Sequence, residues 1–276
     1  MHRYVLCLLK GGITLAAAVT LVSLGLTARP AHAGTVILEG SDSIGFHCSL
    51  GDSGACTYRD EAWTAIGASD PRKIAVIGTP ASAAIGSGTH PVQDFATVAA
   101  AGSLNNYVAL YFISSNGCCT EDDSLITAPG AQASVLAYLS AGGTVMIENY
   151  TGSPAWDFAV GAGGTGNAHV IGVGGGAGSG TSCDDGETVT PLGLTNGFTQ
   201  PPAISCWSHQ GYDQSFFGPL GFTKSFFDAA PGMGGAGWSS LLSNGSTVTV
   251  TEAPEPASLA LLGAALAGFG LIRRRR

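Results

Sequence analysis

Short apolar runs alternate with helix-period stripes along the first half of the chain, and each predicts an element. Thr35 to Leu38 reads as a strand, and Tyr58 to Ile66, with Trp63 and Ile66 on one face, as a helix. Lys73 to Gly78 is apolar almost throughout and stops at glycine and proline, as strands buried on both faces do. Pro91 to Ala101 carries a helical pattern, and Tyr107 to Ile113 predicts a third strand. Ala131 to Ser140 places Val135, Leu136 and Leu139 on one stripe, and Ala141-Gly142-Gly143 ends that helix. Thr144 to Glu148 predicts a fourth strand. Strand and helix in alternation give an α/β fold, a parallel sheet with helices on both faces.

Beyond Tyr150 the pattern weakens into a glycine-rich, irregular C-terminal half. Ten glycines fall between Gly161 and Gly180, around a short run from His169 to Val173. Gly161-Ala162-Gly163-Gly164-Thr165-Gly166 matches a dinucleotide fingerprint in letters only, because no strand precedes it and no helix follows; no cofactor is read from it. Ala203 to Ser208 predicts a strand, and Ser239 to Val250 a hairpin turning at Asn244-Gly245.

The two ends read as addresses. Arg3 and Lys10 flank a polar start, Ile13 to Leu26 is apolar, and Ala31-His32-Ala33 supplies a small-residue cleavage site before Gly34. This predicts a secretory signal peptide over 1–33, handled by the Sec translocon and signal peptidase. At the other end, Pro254-Glu255-Pro256 precedes sixteen uncharged residues, Ala257 to Ile272, and then Arg273, Arg274, Arg275 and Arg276. As a helix the run spans roughly 24 Å, and a single transmembrane helix is expected there. The arginines hold its end in the cytoplasm, so the body lies outside. Pro-Glu-Pro, apolar helix and arginine tail resemble the PEP-CTERM sorting signal that exosortases recognise in exopolysaccharide-producing Gram-negative bacteria. That resemblance implies exosortase as a partner, transient anchoring in the inner membrane, and then a place at the cell surface or outside the cell. The expected domains are a signal peptide at 1–33, an exported globular domain at 34–252 and a sorting signal at 253–276.

Composition agrees with export. Between Gly34 and Glu252 the basic residues are Arg59, Arg72, Lys73 and Lys224, against eighteen carboxylates. Such a surface repels phosphate backbones, so nucleic acid is excluded as a partner. Six cysteines remain once Cys7 leaves with the signal, an even count that suggests disulfides in an oxidising compartment. Nearness in sequence favours Cys48 with Cys56 and Cys183 with Cys206.

Candidate chemistry centres on the loop after the third strand, which holds Ser114, Ser115, Asn116, Cys118, Cys119, Glu121, Asp122 and Asp123. Cys118 or Cys119 would act as nucleophile if His47 or His209 came within about 3 Å; oxidation of both is the alternative. Glu121-Asp122-Asp123 and Asp184-Asp185-Gly186-Glu187 lack the alternating spacing of a calcium loop and read as solvated acidic loops. His47, His90, His169 and His209 show no zinc spacing, and no metal is read from them. Trp156, Trp207, Tyr212, Phe216 and Phe217 are read either as sugar-stacking rings or as core.

A second resemblance covers about residues 35 to 230. A strand ending in Glu39-Gly40, a third strand running into Ser114-Ser115-Asn116, Gly142-Gly143 before Thr144 to Glu148, and Leu194-Thr195-Asn196-Gly197-Phe198 resemble the class I glutamine amidotransferase-like superfamily, its trehalose-utilisation-type branch above all. The resemblance implies a flavodoxin-like sheet with its site at the carboxyl ends of the strands. Catalytic members carry a cysteine on a strand-turn-helix elbow, whereas the matching Glu148-Asn149-Tyr150-Thr151-Gly152 has none. The expectation is therefore a non-catalytic envelope or matrix protein that binds carbohydrate, such as exopolysaccharide. The alternative is a cysteine- or serine-dependent hydrolase or transferase.

Overall fold

Five short parallel strands form the centre of the computed structural model, which describes residues 34–67, 69–78, 90–113, 123–151, 154–177, 183–199 and 206–245. They are β1 (Thr35–Glu39), β2 (Ile74–Ile77), β3 (Val92–Phe95), β4 (Ala109–Phe112) and β5 (Thr144–Glu148). Their order across the sheet is β3-β2-β4-β5-β1, and every pairing among them is parallel. Both faces are covered, which is why β1, β2, β4 and β5 are apolar almost throughout. On one face α1 (Ser53–Gly67) lays Tyr58, Ala62, Trp63 and Ile66 against Ile37, Val76, Tyr111 and Met146. On the other, α2 (Val98–Ala101), α3 (Ser124–Thr127), α4 (Ala131–Ser140) and α5 (Asp157–Val160) cover Val36, Leu38, Ala75, Leu110, Phe112, Val145 and Ile147. The result is a mixed α/β fold with a large sheet and helices on both sides.

Two readings of the hydrophobic pattern are corrected. The stretch from Pro91 to Ala101 is not one helix: Val92–Phe95 pairs with β2 as an edge strand, and α2 begins only at Val98. Thr97 fixes that start, its side chain accepting a hydrogen bond from the N–H of Ala100, and the residues before it close the open edge of β2 instead. Among the described residues the C-terminal half adds strands to the sheet, and the sheet is not wholly parallel. β6 (Val170–Gly172), β7 (Thr188–Val189), β8 (Gln210–Asp213), β9 (Lys224–Asp228) and β10 (Trp238–Ser243) extend it as antiparallel neighbours. The glycines there serve close approach: a Cβ on Gly211 would meet the carbonyl of Met233, and one on Gly172 the carbonyl of His209.

The strand read at Ala203 to Ser208 lies partly outside the described residues. Ser208 itself makes an isolated bridge to Asp184, and continuous pairing starts at Gln210. The second arm of the hairpin read at Ser239 to Val250 lies outside as well; its first arm is β10, paired with β1, β8 and β9. No helix among the described residues is long and apolar enough to cross a membrane, and the run from Ala257 to Ile272 lies beyond them.

β10 joins the two halves. β1 and β8 lie end to end along one of its edges, and β9 runs along the other. Gly40 stands where β1 meets β8. Its N–H donates to the Ser240 carbonyl at 2.7 Å, and its own carbonyl accepts from the N–H groups of His209 at 2.8 Å and Gln210 at 2.9 Å. A Cβ at Gly40 would run into the carbonyl of Gln210, so a larger residue would push the two halves apart.

Candidate functional site

The parallel strands bring their carboxyl ends to one edge, the place where open α/β sheets hold ligands. β1 ends there at Glu39, in register with Glu148 of β5. The chain then runs through Gly40, Ser41 and Asp42 into a π-helical turn, Ser43–Cys48, that carries His47. His209 arrives from the segment before β8, held by its N–H to Gly40 and by its carbonyl, which accepts from the N–H of Val173 at 3.0 Å.

Asp42 is fully buried, with two imidazoles against it. Its Oδ1 lies 3.0 Å from His209 Nε2 and 3.3 Å from His47 Nε2, so both rings turn the same nitrogen to one oxygen. His209 is 3% exposed and the His47 side chain 20%, which makes His47 the rim of the cluster. Burial pushes the Asp42 carboxyl up, but the two imidazoles outweigh it and hold it below the usual range. His47 is raised in turn, chiefly by its contact with Asp42.

Two more carboxyl groups lie at the same strand ends. Burial first, and then the Glu148 carboxylate, push Glu39 well above the ordinary glutamate value. Tyr111 donates to Glu39 Oε2 at 3.1 Å and Ser41 to Oε1 at 3.1 Å. Glu148 Oε1 accepts from the N–H of Gly45 at 2.9 Å, which ties the π-helical turn to β5. A Cβ on Gly45 would lie 2.5 Å from Glu148 Oε2, so glycine is what lets the turn dock. Glu187, 5% exposed, is also pushed up by burial despite the hydroxyls of Ser208 and Ser240 facing it.

Asn149 follows Glu148 with φ of 55°, a left-handed conformation at the position read as an elbow. Its N–H donates to the Glu39 carbonyl at 2.6 Å, yet both atoms of its fully buried side-chain amide lack a hydrogen-bond partner. The Ser43 hydroxyl is buried without one too. Backbone strain and unsatisfied polar groups at one sheet end mark a place built for something other than stability.

Of the residues singled out in the sequence, His47 and His209 come together here, while His90 and His169 do not. His90 Nε2 lies 2.8 Å from the Arg72 carbonyl, and His169 stacks on Phe216 with ring centres 3.7 Å apart. Asp42 was missed because nothing in its neighbourhood distinguishes it before folding. Cys118 and Cys119, with Ser114 to Asp122, lie outside the described residues, as do Ala31, Ala33, Pro254, Glu255, Pro256 and the four terminal arginines. Cys48 is disulfide-bonded to Cys56, which ties the π-helical turn to α1, and Cys183 is bonded to Cys206. Asp184 and Asp185 brace that second loop, accepting from the N–H groups of Gly232 at 2.5 Å and Cys206 at 2.7 Å. Trp156, Trp207, Tyr212 and Phe217 are core, and Phe216 packs at its margin. Gly161 ends α5 in a left-handed conformation, so the glycine fingerprint has no strand-to-helix frame.

Residues 252–276 match the PEP-CTERM protein-sorting motif. No curated protein and no solved structure matches the chain, so the resemblance of its body to glutamine amidotransferase-like domains is not supported. The motif implies an exported protein that transits the membrane and is processed by exosortase.

Proposed function

We propose that this is an envelope or extracellular-matrix protein whose domain, residues 34–252, binds a neutral saccharide unit of the matrix at the carboxyl ends of β1 and β5 and the start of β8, without catalysis. The tail anchors the domain to the inner membrane until exosortase releases it to the surface or the medium. The observation that carries the reading is the group of buried polar side chains at that edge, where the Ser43 hydroxyl and both atoms of the Asn149 amide have no hydrogen-bond partner. Each such group costs about 1–3 kcal/mol when it has no partner, and sugar hydroxyls supply both donors and acceptors. An anionic polymer is disfavoured by the acidic surface. The strand order supports a flavodoxin-like arrangement, since counting from β2 and taking β1 last gives 2-1-3-4-5.

The test is retention of the full chain on the producing cell's own exopolysaccharide. Asn149→Gly keeps the left-handed backbone and removes the amide, so it should weaken retention at least about tenfold while leaving the melting temperature unchanged or higher. Retention equal to that of the parent chain, or no retention of the parent on any glycan, overturns the reading.

A second reading, a thiol-dependent hydrolase, draws on one observation: buried Asp42 beside His209 occupies the edge from which the chain leaves β4 toward Cys118 and Cys119. Alkylation of the unreduced protein decides it. A free thiol at either position that reacts unusually fast at neutral pH favours the enzyme, and complete blockage of both removes it.

A further inference from the structure

The geometry points to a divalent transition-metal site of the zinc class at Asp42 Oδ1, His47 Nε2 and His209 Nε2. The three atoms lie within 4.8 Å of one another, and the two separations from Asp42 are 3.3 and 3.0 Å. Bonds of about 2.0–2.1 Å to one ion place neighbouring ligand atoms about 3.3 Å apart at tetrahedral angles and about 2.9 Å apart at right angles. Both separations from Asp42 already have that spacing. Without an ion, the two imidazoles both crowd a single oxygen of one fully buried carboxylate, at 3.0 and 3.3 Å. An ion at the centre would be shared by the carboxylate and both rings.

Donor type narrows the metal. Two imidazoles and one carboxylate suit zinc and its first-row neighbours, whereas calcium and magnesium take oxygen cages. Three protein ligands leave a coordination position open, and His47 at the rim is where it would meet solvent or a ligand. The three residues are held independently. Asp42 sits three residues beyond β1, His47 is on a turn secured by Cys48–Cys56 and by Glu148, and His209 is fixed by backbone hydrogen bonds to Gly40 and Val173. Ligands held in this way lose little freedom on binding. Both rings present Nε2, so the neutral tautomer with the proton on Nδ1 is the binding form.

This inference shares its site with the saccharide reading but needs no saccharide. The experiment is zinc chloride titrated into the full chain in detergent after chelator treatment, with bound metal read by elemental analysis and cobalt(II) used as a spectroscopic substitute. One zinc per chain is expected, with a rise in melting temperature and a tetrahedral or five-coordinate cobalt spectrum. His47→Ala and the near-isosteric Asp42→Asn should each weaken zinc binding at least about tenfold. His90→Ala, far from the cluster, should bind as the parent does. Circular dichroism and melting of the metal-free variants separate loss of a ligand from loss of the fold. Substoichiometric zinc on the folded parent, or parent-like binding by folded His47→Ala, overturns the proposal. Zinc binding without glycan retention overturns only the saccharide reading, and glycan retention without zinc binding overturns only this one.

Discussion

Urea unfolding of the metal-free protein from pH 5 to pH 8 should show stability falling as the pH rises. Glu39 and Glu187 have native pKa values raised well above the ordinary glutamate value, so the native state holds protons that the unfolded chain releases. In the interval between the unfolded and native values, each group lowers stability by up to about 1.4 kcal/mol per pH unit. His47 acts with the same sign. Its native pKa is raised, so its contribution is complete below its ordinary value of 6.5 and disappears as the pH climbs through the native one. Asp42, Asp70 and Asp213 are lowered, and their contributions are lost only in acid, through native values below 3.8. Nothing among these groups offsets the decline between pH 5 and 8. Glu187→Gln should remove its share of the slope, leave the acid limb unchanged, and stabilise the protein at pH 8. A flat profile from pH 5 to 8 would mean that both glutamates are ionised in the native state.

Trp63→Ala should lower stability by about 3–5 kcal/mol, the usual cost of emptying a large aromatic site. Trp63 is wholly buried on α1 and meets Tyr111 edge to face, with ring centres 5.0 Å apart and planes at 81°. In a domain of this size the loss corresponds to roughly 10 °C or more in melting temperature. The damage should also reach the strand ends. Tyr111 donates to Glu39, and a ring freed on one side holds that carboxyl less firmly. The replacement should therefore alter the pH slope as well as the midpoint. A loss below about 1 kcal/mol would mean that α1 does not seal this face of the sheet.

The parallel half was legible because both faces of its strands are covered, so β1, β2, β4 and β5 stand out as apolar runs and α4 as a stripe. β3 was not, since an edge strand half open to solvent carries no such run, and Val92 and Phe95 fall three apart as on a helix. The antiparallel half was hidden by its glycines, which look like flexible linker, although Gly172 and Gly211 serve to let backbones touch. The site was legible only as unconnected pieces. His47 and His209 stand about 160 residues apart, and only the meeting of β1 and β8 at Gly40 makes them neighbours. Asp42 has no signature at all before that meeting. Glu39 and Glu148 were visible as strand ends, but their shared register is a property of the sheet.

The junction of β1 with β10 has a consequence for delivery. Val36 donates to Asn244 Oδ1 at 2.7 Å across 208 residues of chain, so the first described strand is closed by the last. Until then β1 has an open flank, and contacts between such distant segments form slowly. On the proposed route, a chain tethered by its tail completes the sheet at the membrane before exosortase releases it. The last described residues, Asn244 and Gly245, also lie at the amino end of β1, beside Val36 and Thr35, while the polar edge lies beyond Glu39 at the other end of the strand. On the proposed route the protein is thus already folded when it is released, and while it is held the polar edge lies at the far end of the strand from its tether.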